Sequence, residues 1–222
     1  MKEVALFGCT SYELIAGGTG SGNVNHAYVV SLAEGLKNAN LEIDKGLATA
    51  YKAHIKKQKE VLAHANDGKP LAQFLPTPLP EEITFEADIL KAKAESTDVA
   101  IITIGRLSGE FIDRKTTDFS LTFNEQKLIA DVCNAYHAAG KKVVVLLNIG
   151  GVIETASWKG LPDAILCAWQ SGQEGGNSVA DVLTGKTSPS GKLTMTWPIG
   201  YADNASSNNF PINQEPDFNL TG

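Results

Sequence analysis

Two apolar runs constrain this chain more than anything else in it. They are Val99-Ala100-Ile101-Ile102-Thr103-Ile104 and Val143-Val144-Val145-Leu146-Leu147. A strand with one wet face alternates apolar and polar residues, and these two do not. Each therefore reads as a central parallel strand covered on both faces. Parallel neighbours need crossover connections, usually helices. The intervening segments supply them. Apolar residues recur at helical spacing over 28–38, as Val29, Val30, Leu32, Ala33 and Leu36. Residues 47–64 combine strong helix formers with Lys52, Lys56, Lys57 and Lys59, a solvated helix on which His54 and His64 read as surface residues. A further helix is expected over 85–95. Another begins at Thr122-Phe123-Asn124-Glu125, a capping box that gives Glu125 a structural job, and ends at Gly140.

Shorter strands are expected at Glu3–Phe7, at Leu41-Glu42-Ile43, and at Ala164–Trp169. A last one is expected at Leu193-Thr194-Met195-Thr196-Trp197-Pro198. Ser171-x-x-Glu174 reads as a second capping box, opening a helix over 177–183. Four prolines between Pro70 and Pro80 make that stretch an extended connection. From Tyr201 the chain is polar and reads as an extended arm that needs something else to pack on. The expected fold is α/β, a largely parallel sheet with helices on both faces over residues 1–200 and a C-terminal arm over 201–222.

In such a sheet, ligands bind at the loops that leave the strand C-terminal ends. Four loops qualify. One is glycine-rich, Gly17-Gly18-Thr19-Gly20-Ser21-Gly22. It lacks the Gly-Lys-Ser/Thr of a phosphate loop, and Asn23 stands where a dinucleotide fingerprint needs glycine. What remains is a tight loop offering the hydroxyls of Thr19 and Ser21. The second, Leu107-Ser108-Gly109-Glu110-Phe111-Ile112-Asp113-Arg114-Lys115, places four charged residues after a buried strand and is the best candidate for chemistry. The others follow Asn148 and Trp169.

The bulk numbers narrow the field. The 222 residues suffice for one substantial core. A net charge of −6 argues against non-specific nucleic-acid binding. No apolar run of membrane-spanning length occurs, so a soluble protein is expected. Cys9, Cys133 and Cys167 are far apart and show no metal-ligand or disulfide spacing, so no metal or other cofactor is expected.

Taken in order, Ser108-Gly109-Glu110-x-x-Asp113-Arg114, Val144–Gly150, Ala168-Trp169-Gln170-x-Gly172-Gln173-Glu174-Gly175 and Asp181-Val182-Leu183-x-Gly185-Lys186-x-x-Pro189-Ser190-Gly191-Lys192-Leu193 resemble the C-terminal α/β sandwich domain of glycoside hydrolase family 3. The Gly17–Gly22 loop is similar to that of bacterial β-glucosidases of the family. The resemblance covers nearly the whole chain. It implies a retaining, exo-acting β-glycosidase acting on a β-glucoside or oligosaccharide. It also implies a partner, a (β/α)₈ barrel domain carrying an aspartate nucleophile in a Ser-Asp-Trp stretch. This chain contains no such stretch, since its tryptophans follow Ser157, Ala168 and Thr196.

By the same resemblance Glu110 takes the role of acid/base and Ser21 that of a sugar contact, with Thr19 and Phe111 beside it. Phe111 stands where relatives have glycine; it either stiffens the loop or adds an aromatic platform. Asp113 and Arg114 pair with each other or brace the loop, and Asp118 is the fallback acid. Two other classes compete. One is a non-catalytic structural or carbohydrate-binding module of the same family. The other is a flavodoxin-like nucleotide-binding domain, which rests on the glycine-rich loop alone.

Overall fold

The computed structural model describes residues 2–69, 72, 75–110 and 114–207. Its centre is a five-stranded, wholly parallel sheet in the order β2-β1-β3-β4-β5, built from β1 (Glu3–Phe7), β2 (Glu42–Ile43), β3 (Val99–Arg106), β4 (Lys142–Ile149) and β5 (Ala164–Cys167). Five consecutive residues of β3, Ala100 to Ile104, are buried. Both faces of this strand are therefore covered, as its unbroken apolar run requires. The cover comes from α1 (Leu32–Asn38), α2 (Lys45–Leu62), α3 (Ala87–Ser96), α4 (Phe123–Ala138) and α5 (Gly175–Leu183). Helices α1 and α5 pack on each other, as do α3 and α4. Phe7 of β1 lies edge-on to Phe85 and to Tyr136 of α4, with ring centroids 5.7 and 6.5 Å apart. Tyr136 passes its buried hydroxyl to Thr97 at 2.7 Å, so the aromatic cluster leaves that polar tip satisfied.

Local signals act as written in the chain. Thr122 caps α4, and Glu125 bonds back to the Thr122 amide at 2.7 Å. Ser31 and Glu34 form the same box on α1. That box starts the helix at Leu32, so the expected residues 28–31 stay outside it. Three expectations change. Leu193 to Pro198 is not a strand. Its alternation suits one, but no ladder partner lies beside it among the described residues, and Leu193 and Met195 are 58% and 54% exposed. Trp197 is half-buried, edge-on to Trp169 at 6.1 Å. Ser171-x-x-Glu174 forms no capping box: α5 begins at Gly175, and Glu174 spends its carboxylate on the Tyr28 hydroxyl and on Asn177 Nδ2. Of the expected arm, Tyr201 to Asp203 forms a short 3-10 turn whose Tyr201 ring meets Phe119 at 5.9 Å; residues 208–222 lie outside the described residues. The thiols of Cys9, Cys133 and Cys167 are free. Burial pushes Cys133 up to about 12, which fits a packed, unreactive side chain.

Glu82, on the connection before α3, is one of several side chains with a buried polar atom that lacks a partner among the described residues. Its Oε1 accepts from the Cys9 amide at 2.7 Å. Its Oε2 is sealed from solvent without a partner among the described residues. Burial first, and the nearby Glu125 carboxylate, push Glu82 up to about 7, against the Cys9 amide and Arg106. A carboxyl raised in the folded state stabilises fully below its unfolded value, roughly 4.3, and loses that contribution as pH rises through its folded value. Over roughly 2.5 units the loss is about 3 kcal/mol. Urea unfolding at pH 5 and pH 8 is expected to show this decline in the native chain and to show a flatter profile for Glu82→Gln. Parallel declines in the two proteins would contradict it.

Candidate active site

The strand order 2-1-3-4-5 reverses direction between β1 and β3. Chains leaving these two strands diverge there and open a crevice at the carboxyl edge of the sheet. The glycine-rich loop after β1 and the Ser108–Glu110 loop after β3 meet in that crevice. They are joined by side-chain hydrogen bonds. Ser21 donates from its amide to Glu110 Oε2 at 2.8 Å, and its hydroxyl donates to Oε1 and Oε2 at 2.9 and 3.0 Å. Beneath that pair, Thr19 is 7% exposed. Its amide donates to Ser108 Oγ at 3.0 Å, its hydroxyl donates to the Ser108 carbonyl at 2.9 Å, and the same hydroxyl accepts from the Glu110 amide at 3.0 Å.

Glycine is required at Gly20, which has φ +59°. A Cβ there would lie 2.3 Å from Glu110 Cδ, in the space that the carboxylate fills. From the β4 side, a Cβ on Gly150 would lie 2.7 Å from the Ser108 amide nitrogen. The Ser108 backbone thus rests directly on the turn that ends β4.

Two residues fix the frame, one fully buried and one half-buried. Asn148, at the end of β4 and fully buried, is bonded to Ile15 through both sides of its amide, at 2.7 and 3.0 Å, and donates to the Trp169 carbonyl at 2.7 Å. It therefore ties the chain after β1 to the chain after β5. Arg106, at the end of β3, makes a two-pronged ion pair with Glu125 at 2.5 and 2.7 Å. It also donates to the carbonyls of Asp118 and Ser120, at 3.1 and 3.0 Å, which returns the loop to α4. A planar guanidinium suits this buried fork. The sequence pointed to Asn148 only as a turn and to Glu125 only as a cap. A polar residue closing an apolar strand was the available signal for each end.

Of the remaining expectations, Arg114 braces the loop through carbonyls. It donates to Asp118 at 2.9 Å and to Val152 at 3.3 Å. Burial lowers its pKa, partly offset by Asp118. Asp118 accepts from the Lys115 amide at 3.0 Å, inside its own loop. Phe111 and Asp113 lie outside the described residues. No cluster of three or more His, Cys, Asp or Glu able to hold a metal occurs among the described residues. No helix there is long and apolar enough to cross a membrane.

Residues 1–219 match the glycosyl hydrolase family 3 C-terminal domain, and the chain belongs to that family. It is 33% identical over 209 residues to a β-glucosidase of Ruminococcus albus, covering 92% of this chain and 21% of that protein. It is also 33% identical to β-glucosidase A of Butyrivibrio fibrisolvens, covering 94% of this chain and 26% of that one. The structure of β-glucosidase 3B from Thermotoga neapolitana in complex with glucose superposes with a TM-score of 0.85 at 42% identity, over 97% of this chain and 30% of that one. The chain thus spans about a fifth to a third of the length of these relatives.

Proposed function

We propose that this chain is the α/β half of a retaining, exo-acting β-glycosidase that removes terminal non-reducing β-D-glucosyl residues, with Glu110 as its acid/base. The observation that carries the reading is the convergence of Glu110 and Ser21 at the crevice between β1 and β3. The mechanism needs two carboxyl groups roughly 5–5.5 Å apart, one attacking the anomeric carbon and one protonating the leaving oxygen. The acid must also be kept protonated near neutral pH by apolar surroundings or a neighbouring like charge. A (β/α)₈ barrel domain bearing the aspartate nucleophile supplies both the second carboxyl and the shielding wall.

In the chain as it stands, Glu110 has both oxygens accepting from Ser21. Sugar binding exchanges the Ser21 hydroxyl from Glu110 to a substrate hydroxyl, which frees the carboxyl to give its proton. Arg114 supports the loop through the carbonyls of Asp118 and Val152. That the lengths of its relatives far exceed this chain supports a partner domain in the active protein.

The same engagement of Glu110 favours a second reading, a non-catalytic module in which the Ser21–Glu110 pair only closes the loop. The purified chain is expected to give no turnover of an aryl β-glucoside above background. Turnover by the chain alone, abolished by Glu110→Ala, would overturn the shared-site proposal.

A further inference from the structure

We infer that Thr19 is a positioning residue for Glu110, holding the backbone from which the acid/base side chain projects. The inference rests on the acid/base reading of Glu110. Thr19 is nearly sealed from solvent, and the contacts of its amide and hydroxyl all go inward to the Ser108–Glu110 loop. Its hydroxyl sits between two peptide groups of the acid/base loop, donating to the Ser108 carbonyl and accepting from the Glu110 amide. A hydroxyl is the smallest group that can do both at once. Ser21, two residues further on, is exposed and grips the carboxylate itself. The glycine-rich loop therefore divides its work. Ser21 addresses the side chain of Glu110 and Thr19 its main chain, two residues apart on one tight turn.

The anchorage continues beneath. Thr19's own amide holds the Ser108 hydroxyl, and Ser108 is seated on the β4 turn at a spot that only Gly150 leaves open. The chains leaving β1, β3 and β4 thereby meet at Ser108. Loss of that hydroxyl leaves the Glu110 amide without this acceptor and lets the carboxyl drift relative to the bond it must protonate. A misplacement of the order of 1 Å costs about 10²-fold in rate.

The test uses the complete enzyme, barrel included, and reads kcat/KM on two substrates. A methyl β-glucoside needs the leaving oxygen protonated; a 2,4-dinitrophenyl β-glucoside does not. Thr19→Val is expected to lower kcat/KM on the alkyl glucoside by about 30–100-fold and to change it on the dinitrophenyl glucoside by less than about 3-fold. Thr19→Ser, which restores the hydroxyl, is expected to recover the alkyl rate to within about 3-fold. Ser108→Ala removes the lower contact alone and gives a smaller loss with the same selectivity, so the proposal stays testable should the valine variant fail to fold.

Equal losses on both substrates, or no loss on either, would overturn the role of Thr19. Glu110→Ala run beside them separates the two claims. If that variant is selective for the alkyl glucoside and Thr19→Val is not, only Thr19's role falls. If Glu110→Ala shows no selectivity, the acid/base reading falls with it.

Discussion

Glu110→Ala in the complete enzyme is expected to lower kcat/KM on glucosides with poor leaving groups by about 10²–10⁴-fold, the usual worth of a positioned general acid. The loss should shrink as the leaving group improves and nearly vanish in kcat/KM for a dinitrophenyl glucoside, whose departure needs no proton. In kcat the same good substrate should still slow, because the second step needs Glu110 as base to activate water. The variant should fold normally. Glu110 is only partly buried, and its described contacts are to Thr19 and Ser21 of the facing glycine-rich loop. A uniform loss across leaving groups would mean that Glu110 binds substrate or braces the loop without giving a proton.

The largest expected effect on stability lies away from the crevice, where α1 meets α5. A Cβ on Gly35 would lie 2.0 Å from the Gly176 carbonyl oxygen, and a Cβ on Gly176 would lie 2.1 Å from the Ser31 carbonyl oxygen. At both glycines the clash is with backbone, which cannot yield by turning a side chain. Alanine in a helix gains about 1 kcal/mol over glycine. Overpacking costs typically 1–3 kcal/mol and occasionally more; against rigid backbone at 2.0 Å it reaches roughly 4 kcal/mol, so the clash wins. Gly35→Ala is expected to lower the unfolding free energy by about 3 kcal/mol in urea, and Gly160→Ala, with open space around its Cβ, to stay within about 0.5 kcal/mol. Activity should fall with Gly35→Ala as well. Val30 bonds Gln173 and Gly176 across this contact, and the Tyr28 hydroxyl bonds Glu174 beside it, so the segment following the glycine-rich loop rides on the packing of α1 against α5.

What could be read from the sequence was what depends on near neighbours. The runs 99–104 and 143–147 announced strands buried on both faces, and Thr122 with Glu125 announced where α4 starts, because periodicity and capping act within a few residues. The same reasoning misread Leu193 to Pro198. Alternation describes a side-chain pattern, whereas a strand also needs a neighbour's free edge, and nothing local reports that. Ser171 and Glu174 had the right spacing for a cap, but Tyr28, 146 positions away from Glu174, took the carboxylate.

The crevice itself was legible as a set of loops after strands. Which of its side chains touch was not. Thr19 meets Ser108 and Ser21 meets Glu110 across 89 positions, and Asn148 meets Ile15 across 133. Such contacts are set by strand order, which composition and spacing do not report. Gly35 had left one unread signal, since an unforced glycine inside a helix usually marks a close approach.

The central claim is that Glu110 gives and takes the proton in a site whose nucleophile lies on another domain. It is tested most directly by adding sodium azide to the Glu110→Ala form of the complete enzyme with 2,4-dinitrophenyl β-glucoside. With the acid/base gone and the nucleophile intact, azide needs no base to attack the glycosyl-enzyme. Turnover should rise and the product should be β-glucosyl azide, with configuration retained. An α-glucosyl azide would place Glu110 in the nucleophile's role, and the absence of any azide acceleration would remove it from the proton transfer.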